Sequence, residues 1–292
     1  MESVMAKIIS SNNIQVPFGT IYNGDSLKIL EQLPENHFQA CITSPPYWGL
    51  RDYGINGQIG AEFDVNEYIK NIVKVFSEIK RVLKNDGILW LNIGDSYTSG
   101  GRTWRDADSK NAGRAMSYRP PTPEGLKPKD LIGVPWKMAF ALQEAGWYLR
   151  SDIIWNKPNC QPESVKDRPT RSHEYIFMLT KSEKYYYDFE SIKELAADGK
   201  TTKNKRTVWN INTEGFKGAH FAVFPTELVK TCLLASTRFN DEIIDPFFGS
   251  GTVGVVCQQF QRQFTGLELN SEYCNIAIDR LKNQNLLFSE RK

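Results

Sequence analysis

The sequence predicts an α/β fold whose sheet is doubly wound and mainly parallel, with an antiparallel hairpin at one edge. Short apolar runs, each long enough for one buried strand, alternate with stretches whose apolar residues recur at helical spacing. The carboxyl-terminal part shows this most clearly, because apolar runs at 242–245 and 264–269 are each followed by a helical repeat. Strands that alternate with helices pair in parallel, since each helix returns the chain to the same edge of the sheet.

The individual elements follow from the same patterns and from the turn residues between them. Residues 64–84 repeat apolar side chains every three or four positions, and Asn85-Asp86-Gly87 is a turn signal that we expect to end this helix. In chain order, the predicted elements are a strand at 38–43, a helix at 64–84, a strand at 88–93, a helix at 131–145, the two hairpin strands at 148–156 and 174–180, a strand at 242–245, a helix from about 251, a strand at 264–269 and a helix to about 285.

The length is that of one large α/β domain, which we expect to span residues 1–292. Two stretches, 98–128 and 190–215, lose the periodicity and gather polar and loop-forming residues. We therefore predict that both are surface segments inserted into the domain.

Composition restricts the classes of function. Lys and Arg number 36 and Asp and Glu number 34, so the formal net charge is +2 and any contact with a polyanion must be local. No apolar run reaches about 18 residues, so no membrane span is expected. The five cysteines include no Cys-x-x-Cys pair and the three histidines are scattered. The sequence thus predicts neither disulfides nor a metal site, and a reducing, cytoplasmic compartment is expected.

A glycine-rich turn follows the strand at 242–245. Residues 249–254, Gly-Ser-Gly-Thr-Val-Gly, match G-x-G-x-x-G, and Glu268 lies about 20 residues further on at the end of the next strand. Glycines let the backbone approach a ligand closely, and a carboxylate at that strand end suits ribose hydroxyls. This pattern alone leaves a nicotinamide-dependent oxidoreductase and a tight turn without a ligand open.

Two details favour a different nucleotide-like ligand. Asp245 ends the strand before Pro246-Phe247-Phe248, and an acid here would repel a pyrophosphate but suits a cationic amino-acid group such as that of S-adenosylmethionine. Only about 40 residues follow the turn, too few to complete a sheet that begins there. The rest of the sheet must come from upstream, which is a circularly permuted order.

A second motif, Ser44-Pro45-Pro46-Tyr47, directly follows the strand at 38–43. Consecutive prolines fix the backbone and remove two donors, so their carbonyls become rigid acceptors. Ser44 adds a hydroxyl and Tyr47 an aromatic face. In isolation the tetrapeptide is also compatible with a rigid turn that binds nothing.

Together the two motifs resemble those of the S-adenosylmethionine-dependent DNA amino-methyltransferases of the beta order. In that family a catalytic (D/N/S)-P-P-(Y/F/W) motif precedes a cofactor F-x-G-x-G motif, which Phe247, Gly249 and Gly251 match. The resemblance implies a permuted Rossmann-like methyltransferase fold, catalytic roles for Ser44, Pro45, Pro46 and Tyr47, and a base-pocket motif at Gly94-Asp95-Ser96-Tyr97. It also implies cofactor-binding roles for Asp25, Phe224, Pro225, Asp245, Pro246, Phe247, Gly249, Ser250, Gly251, Thr252 and Glu268.

The implied reaction is methylation of the exocyclic amino group of a flipped base in double-stranded DNA. The Ser44 hydroxyl and the Pro45 carbonyl would accept hydrogen bonds from the amine, and Tyr47 would stack on the base. Serine in the first position is more similar to the cytosine N4 enzymes than to the adenine N6 enzymes, which remain the alternative. Enzymes acting on RNA or protein are disfavoured because they keep the cofactor motif first. Attack on cytosine carbon 5 would need a Pro-Cys nucleophile, which the sequence lacks.

Contacts with DNA are expected from basic residues outside the predicted sheet core, within 98–128, 156–171 and 200–206. A cognate restriction endonuclease is a further expected partner, whereas the sequence predicts no oligomeric state. The candidate DNA-binding residues are Arg102, Arg105, Arg114, Arg119, Lys157, Lys166, Arg168, Arg171, Lys203, Lys205 and Arg206.

Overall fold

The computed structural model describes residues 13–98, 104, 119–214 and 224–289. The strands are β1 (Asn13–Val16), β2 (Gly19–Asn23), β3 (Phe38–Thr43), β4 (Leu83–Ile93), β5 (Tyr148–Asn156), β6 (His173–Thr180), β7 (Glu194–Leu195), β8 (Thr202–Lys203), β9 (Val208–Asn210), β10 (Glu242–Asp245) and β11 (Gln263–Glu268). The α-helices are α1 (Ser26–Leu30), α2 (Val65–Val82), α3 (Val134–Glu144), α4 (Thr226–Ser236), α5 (Thr252–Gln259) and α6 (Ser271–Ser289).

The main sheet has the strand order β1-β2-β11-β10-β3-β4-β6-β5-β9 in the described part of the chain. Neighbours from β2 to β4 pair in parallel. Strand β6 is antiparallel to both β4 and β5, and β9 is parallel to β5. The carboxyl ends of β2, β11, β10, β3, β4 and β5 therefore share one edge of the sheet with the amino end of β6.

Helices cover both faces of this sheet. Every position of β3 is buried, because its alternate side chains enter two different cores. Cys41 packs with α1, α2 and α3 on one face, whereas Ala40 and Ile42 pack with α4, α5 and α6 on the other. The predicted doubly wound, mainly parallel sheet is confirmed, with antiparallel strands near both edges and not at one edge alone.

Helix α2 illustrates how local sequence fixes an element. It begins at Val65 because the Asp64 side chain accepts a hydrogen bond from the backbone N–H of Asn66 at 3.2 Å. The helix ends at Val82, and β4 starts at the next residue, so Asn85-Asp86-Gly87 lies inside a strand and does not end the helix as predicted. A Cβ on Gly87 would lie 2.9 Å from the carbonyl oxygen of Lys84, which explains the glycine at this irregular point of the strand.

The stretch 190–215 was expected to lie outside the sheet, yet part of it belongs to the sheet. Val208–Asn210 forms the edge strand β9, and Trp209 is buried against Trp90 with ring centroids 6.3 Å apart. The short hairpin of β7 and β8 precedes it. Most of 98–128, including Arg102, Arg105 and Arg114, falls outside the described residues. No described helix has the length and apolar character needed to cross a membrane.

Candidate active site

The two sequence motifs meet at the shared edge of the sheet. Ser44 follows β3, the glycine turn follows the neighbouring strand β10, and Glu268 ends β11. They line one cavity of about 1110 Å³, large enough for a nucleotide-like cofactor and a second group. The predicted residues that line it are Asp25, Ser44, Pro45, Pro46, Tyr47, Lys157, Arg171, Phe224, Pro246, Phe247, Gly249, Ser250, Thr252 and Glu268.

Backbone geometry explains the glycines of the turn. Gly251 caps the amino end of α5 with a φ of +80°, and a Cβ there would lie 2.8 Å from the Cβ of Ala277. Gly249 has a φ of +52°, and a Cβ there would lie 3.9 Å from the carbonyl oxygen of Phe247. The N–H of Gly249 donates to Glu268 Oε2 at 2.7 Å, while the N–H of Asn270 donates to Oε1 at 2.8 Å. The turn and the strand-terminal acid are thus one unit.

The donor and acceptor groups of this unit fit the expected cofactor. Each Glu268 oxygen accepts a backbone hydrogen bond, and the several lone pairs of a carboxylate also suit ribose hydroxyls. Burial raises the pKa of Glu268, while its bonds with the N–H groups of Asn270 and Gly249 lower it. Tyr53 and Tyr273 meet edge to face at the same wall with ring centroids 6.3 Å apart, giving an apolar surface for a planar ring. Asp25 adds negative charge suited to a cationic ligand.

Asp245 does not lie where the sequence argument placed it. It is 1% exposed and is not among the described residues that line the cavity. Its Oδ1 accepts hydrogen bonds from Thr43 Oγ1 at 2.6 Å and from the N–H of Phe247 at 3.0 Å. Burial raises its pKa to about 7, against the lowering effect of those two bonds. The carboxyl group therefore holds the backbone of the turn in place and does not face the cavity.

Two other predicted cofactor residues lie at the starts of helices. Gly251 caps α5, and Pro225 is the residue before α4. Neither lines the cavity in the described part of the chain.

The Ser-Pro-Pro-Tyr segment is anchored by a tyrosine of α2. Tyr68 of α2 donates its hydroxyl hydrogen to the carbonyl oxygen of Pro46 at 2.9 Å. Of the two proline carbonyls expected to act as acceptors, that of Pro46 is thus already engaged. Ser44 Oγ lies 3.4 Å from the hydroxyl oxygen of Tyr47.

Sequence reasoning missed a polar network beside Tyr47. The Tyr47 hydroxyl donates to Glu174 Oε2 at 2.7 Å, and Asn92 Nδ2 donates to the same oxygen at 3.1 Å. Lys157 forms an ion pair with the other oxygen of Glu174. Asn92 Nδ2 also donates to the carbonyl of Tyr175 at 3.2 Å, so its Oδ1 is turned toward Tyr47, 3.4 Å from the hydroxyl. Asn92, Lys157 and Glu174 all line the cavity.

Gly94 and Asp95 have different roles: Gly94 allows close packing, and Asp95 caps a helix. A Cβ on Gly94 would lie 2.7 Å from Cε2 of Tyr47, so glycine is needed for the ring to pack there. Asp95, expected beside the base pocket, instead accepts hydrogen bonds from the N–H groups of Gly133 and Val134 at the start of α3. Burial raises its pKa.

The predicted DNA-binding residues that are described fall into three groups. Lys157, Arg168 and Lys203 form ion pairs with Glu174, Glu163 and Glu194. Arg119 and Arg171 are partly buried, and Arg171 lines the cavity. Lys166 and Arg206 are exposed, while Lys205 lies over the ring of Trp209, 5.4 Å from its centroid.

The permuted sheet and the shared cavity define a Rossmann-like methyltransferase. The DNA methylase family model matches residues 38–279, and the chain belongs to that family of N4/N6 amino-methyltransferases, which use S-adenosylmethionine. The chain is 66% identical over 259 residues to the Type II methyltransferase M.SmaI of Serratia marcescens, covering 88% of this chain and 89% of that protein. It is 61% identical over 278 residues to M.Cfr9I of Citrobacter freundii, covering 95% and 92%.

Solved structures share the fold at low identity. The PvuII DNA methyltransferase, described as cytosine-N4-specific, superposes with a TM-score of 0.69 at 21% identity, covering 91% of this chain and 87% of that one. M1.HpyAVI in complex with S-adenosylmethionine gives a TM-score of 0.59 at 19% identity, covering 89% and 98%. The sequence-based assignment to the amino-methyltransferases is thus confirmed.

Proposed function

We propose that this DNA methyltransferase modifies N4 of cytosine within a specific duplex sequence. The observation that carries the proposal is the single cavity lined by both Ser44-Pro45-Pro46-Tyr47 and the glycine turn. The neutral Ser44 hydroxyl at the first motif position favours cytosine over adenine. The cytosine-N4 specificity in the name of the PvuII enzyme agrees with this choice.

The chemical task of the site is to present acceptors to an amino group whose lone pair is delocalised into the base. Ser44 Oγ, the Pro45 carbonyl and Asn92 Oδ1 are the acceptors we assign to that task. Hydrogen bonds from the amine to these oxygens favour a pyramidal nitrogen with an available lone pair. Because the acceptors are held by the sheet edge, they lower the barrier through positioning and electrostatics.

S-Adenosylmethionine, when bound, supplies an electrophilic methyl group on a sulfonium ion. We assign its ribose to Glu268, its ring to the wall of Tyr53 and Tyr273, and its cationic end to the part of the cavity beside Asp25. Phe224, Pro246, Phe247, Ser250 and Thr252 form the remaining contacts in this proposal, and Asp25 contributes charge. Asp245, Pro225 and Gly251 act by holding the surrounding backbone.

DNA would approach the side of the cavity formed by the loop between β5 and β6. Lys157, Cys160, Glu163 and Arg171 of this loop line the cavity. We assign phosphate and base contacts to the basic residues of 156–171 and 200–206, together with the stretch 98–128. The names of the Serratia and Citrobacter relatives support a role beside a restriction endonuclease.

The test is transfer of tritium from labelled S-adenosylmethionine to duplex DNA, with RNA of matched sequence as the control. Labelled DNA is then digested to nucleosides and separated. We expect N4-methylcytosine. Recovery of N6-methyladenine would replace the proposed base, and label in RNA alone would overturn action on DNA. Methylation-sensitive sequencing of DNA from expressing cells then gives the sequence context.

A further inference from the structure

A continuous polar path leads from the catalytic motif to the carboxylate of Glu174, near the amino end of β6. Ser44 Oγ lies 3.4 Å from the hydroxyl oxygen of Tyr47, whose own hydrogen points to Glu174 Oε2 at 2.7 Å. All three side chains line the cavity. The phenol has a second acceptor nearby, Asn92 Oδ1, but this oxygen lies farther away, at 3.4 Å. An amide oxygen is also a much weaker base than a carboxylate, so the path ends on Glu174.

We propose that Glu174 receives, through Tyr47 and Ser44, the proton that the target amine must lose. The proposal rests on the function proposed above, because it concerns the same amine. In this relay Glu174 takes the proton from Tyr47 and not from the base, so it is a positioning and proton-accepting residue, not a catalytic one.

When the amine nitrogen bonds to the methyl carbon, the electron pair of the carbon–sulfur bond stays on sulfur, and the nitrogen becomes cationic with one proton in excess. That proton passes to Ser44 Oγ as the Ser44 proton passes to the Tyr47 oxygen and the Tyr47 proton passes to Glu174. The products are a neutral methylamino group, restored Ser44 and Tyr47, and a protonated Glu174 that returns its proton to water.

The surroundings of each group suit this transfer. Burial and the charge of Glu174 raise the pKa of Tyr47 well above its ordinary value, so the phenol stays protonated and relays a proton instead of storing one. The Glu174 side chain is 18% exposed, which leaves a way for the proton to reach solvent. The ion pair with Lys157 holds the carboxylate in place.

Other charged groups near Glu174 set the pH range of a test. Arg171 and His173 precede it on the same loop and strand, and Lys157 and Tyr47 face it from the ends of β5 and β3. Burial lowers the pKa of His173 from its ordinary value, and the charges of Arg171 and Lys157 lower it further. Tyr68 contributes to the raised pKa of Tyr47 and stays protonated itself.

The contact is tested first without cofactor or DNA. Urea unfolding of wild type, Tyr47→Phe, Glu174→Ala and the double variant gives the coupling free energy between the two side chains, because each single change removes their hydrogen bond. A favourable coupling is expected. Zero coupling would show that the hydrogen bond does not exist in solution and would overturn the relay.

The proton transfer is tested by single-turnover methylation across about pH 6 to pH 9. Glu174→Gln keeps an oxygen that accepts the bonds from Tyr47 and Asn92 but cannot take a proton. Tyr47→Phe interrupts the path and leaves the pair of Glu174 and Lys157 intact. At about pH 6 both variants should methylate roughly 100-fold more slowly than wild type. Both rates should then rise with pH, because hydroxide replaces the lost proton acceptor. The double variant should be no slower than the slower single variant.

Glu242→Gln is the matched control. Glu242 is also partly buried and paired, with His37 at 2.8 Å, but it lies at the amino end of β10, away from the cavity. It should show the wild-type rate and pH profile. Unchanged rates in the two relay variants, or losses equal at every pH, would overturn the proposal. If wild type itself fails to methylate duplex DNA, the proposed function fails first, and the coupling measurement still reports on the contact.

Discussion

Thr43 donates a hydrogen bond from Oγ1 to Oδ1 of Asp245 at 2.6 Å, across residues that are 202 positions apart in the chain. This bond joins the last residue of β3 to the last residue of β10. Ser44 directly follows β3 and Pro246 directly follows β10. The bond therefore fixes the position of the catalytic motif relative to the cofactor turn. The carboxyl group that we expected to face a ligand thus acts between two strands.

The buried carboxyl should make stability depend on pH. The pKa of Asp245 is about 7 in the folded protein, above about 3.9 in an unfolded chain, so the folded state holds the proton more tightly between these values. The stability that this group contributes is complete below its pKa in the unfolded chain and is lost as the pH rises through its pKa in the folded protein. Asp245→Asn keeps the acceptor oxygen but has no proton to lose. Its free energy of unfolding should fall less than that of wild type, by a few kcal/mol, between about pH 4 and pH 8.

Urea unfolding at a series of pH values measures this difference. Asp279→Asn, an exposed change on α6, serves as the control and should follow wild type. An equal decline in wild type and Asp245→Asn would show that the carboxyl does not titrate as described.

Ser44→Ala should separate catalysis from cofactor binding. It removes one acceptor at the cavity but leaves the prolines, Tyr47 and the glycine turn in place. Single-turnover tritium transfer should slow by roughly 100-fold, whereas the Kd for S-adenosylmethionine measured by calorimetry should not change. Ser77→Ala, on the exposed side of α2, is the control. A wild-type rate in Ser44→Ala would remove Ser44 from the reaction.

The two glycines of the cofactor turn should differ in their tolerance of alanine. Both have positive φ, but a Cβ at Gly251 would lie 2.8 Å from the Cβ of Ala277, whereas at Gly249 the nearest atom is 3.9 Å away. Gly251→Ala should therefore lower the free energy of unfolding by about 2 kcal/mol more than Gly249→Ala. Urea unfolding without cofactor provides the measurement. Equal losses would mean that backbone strain alone accounts for both glycines.

Phosphate contacts should appear in the salt dependence of DNA binding. Lys166 is exposed in the loop that borders the cavity, so Lys166→Gln should reduce the slope of log K against log salt by about one. Lys84→Gln, at the opposite edge of the sheet and paired with Asp241 at 3.1 Å, should leave the slope unchanged. Fluorescence anisotropy with a labelled duplex measures both. An unaltered slope in Lys166→Gln would remove this lysine from the DNA contact.

The local sequence pattern was sufficient to predict the strands that precede the two motifs. The predicted strands at 38–43 and 242–245 are confirmed residue for residue, because each is a short apolar run closed by proline or glycine turns. The parallel arrangement then brought Ser44 and Glu268 to one edge, as the βαβ order requires. The helix end at Asn85-Asp86-Gly87 was wrong because strand pairing with β3 outweighed a local turn signal.

The sequence by itself determined the α/β class and the permuted order of the two motifs, since these depend on short-range pattern, and its motifs carried the resemblance to the amino-methyltransferases. Only the tertiary structure decided that Glu174, Asn92 and Lys157 meet beside Tyr47. That meeting requires the antiparallel register in which Asn92 lies opposite Ile176 and Asn156 lies opposite His173. Strand register is set by side-chain packing between distant parts of the chain, and no local pattern around Glu174 encodes it.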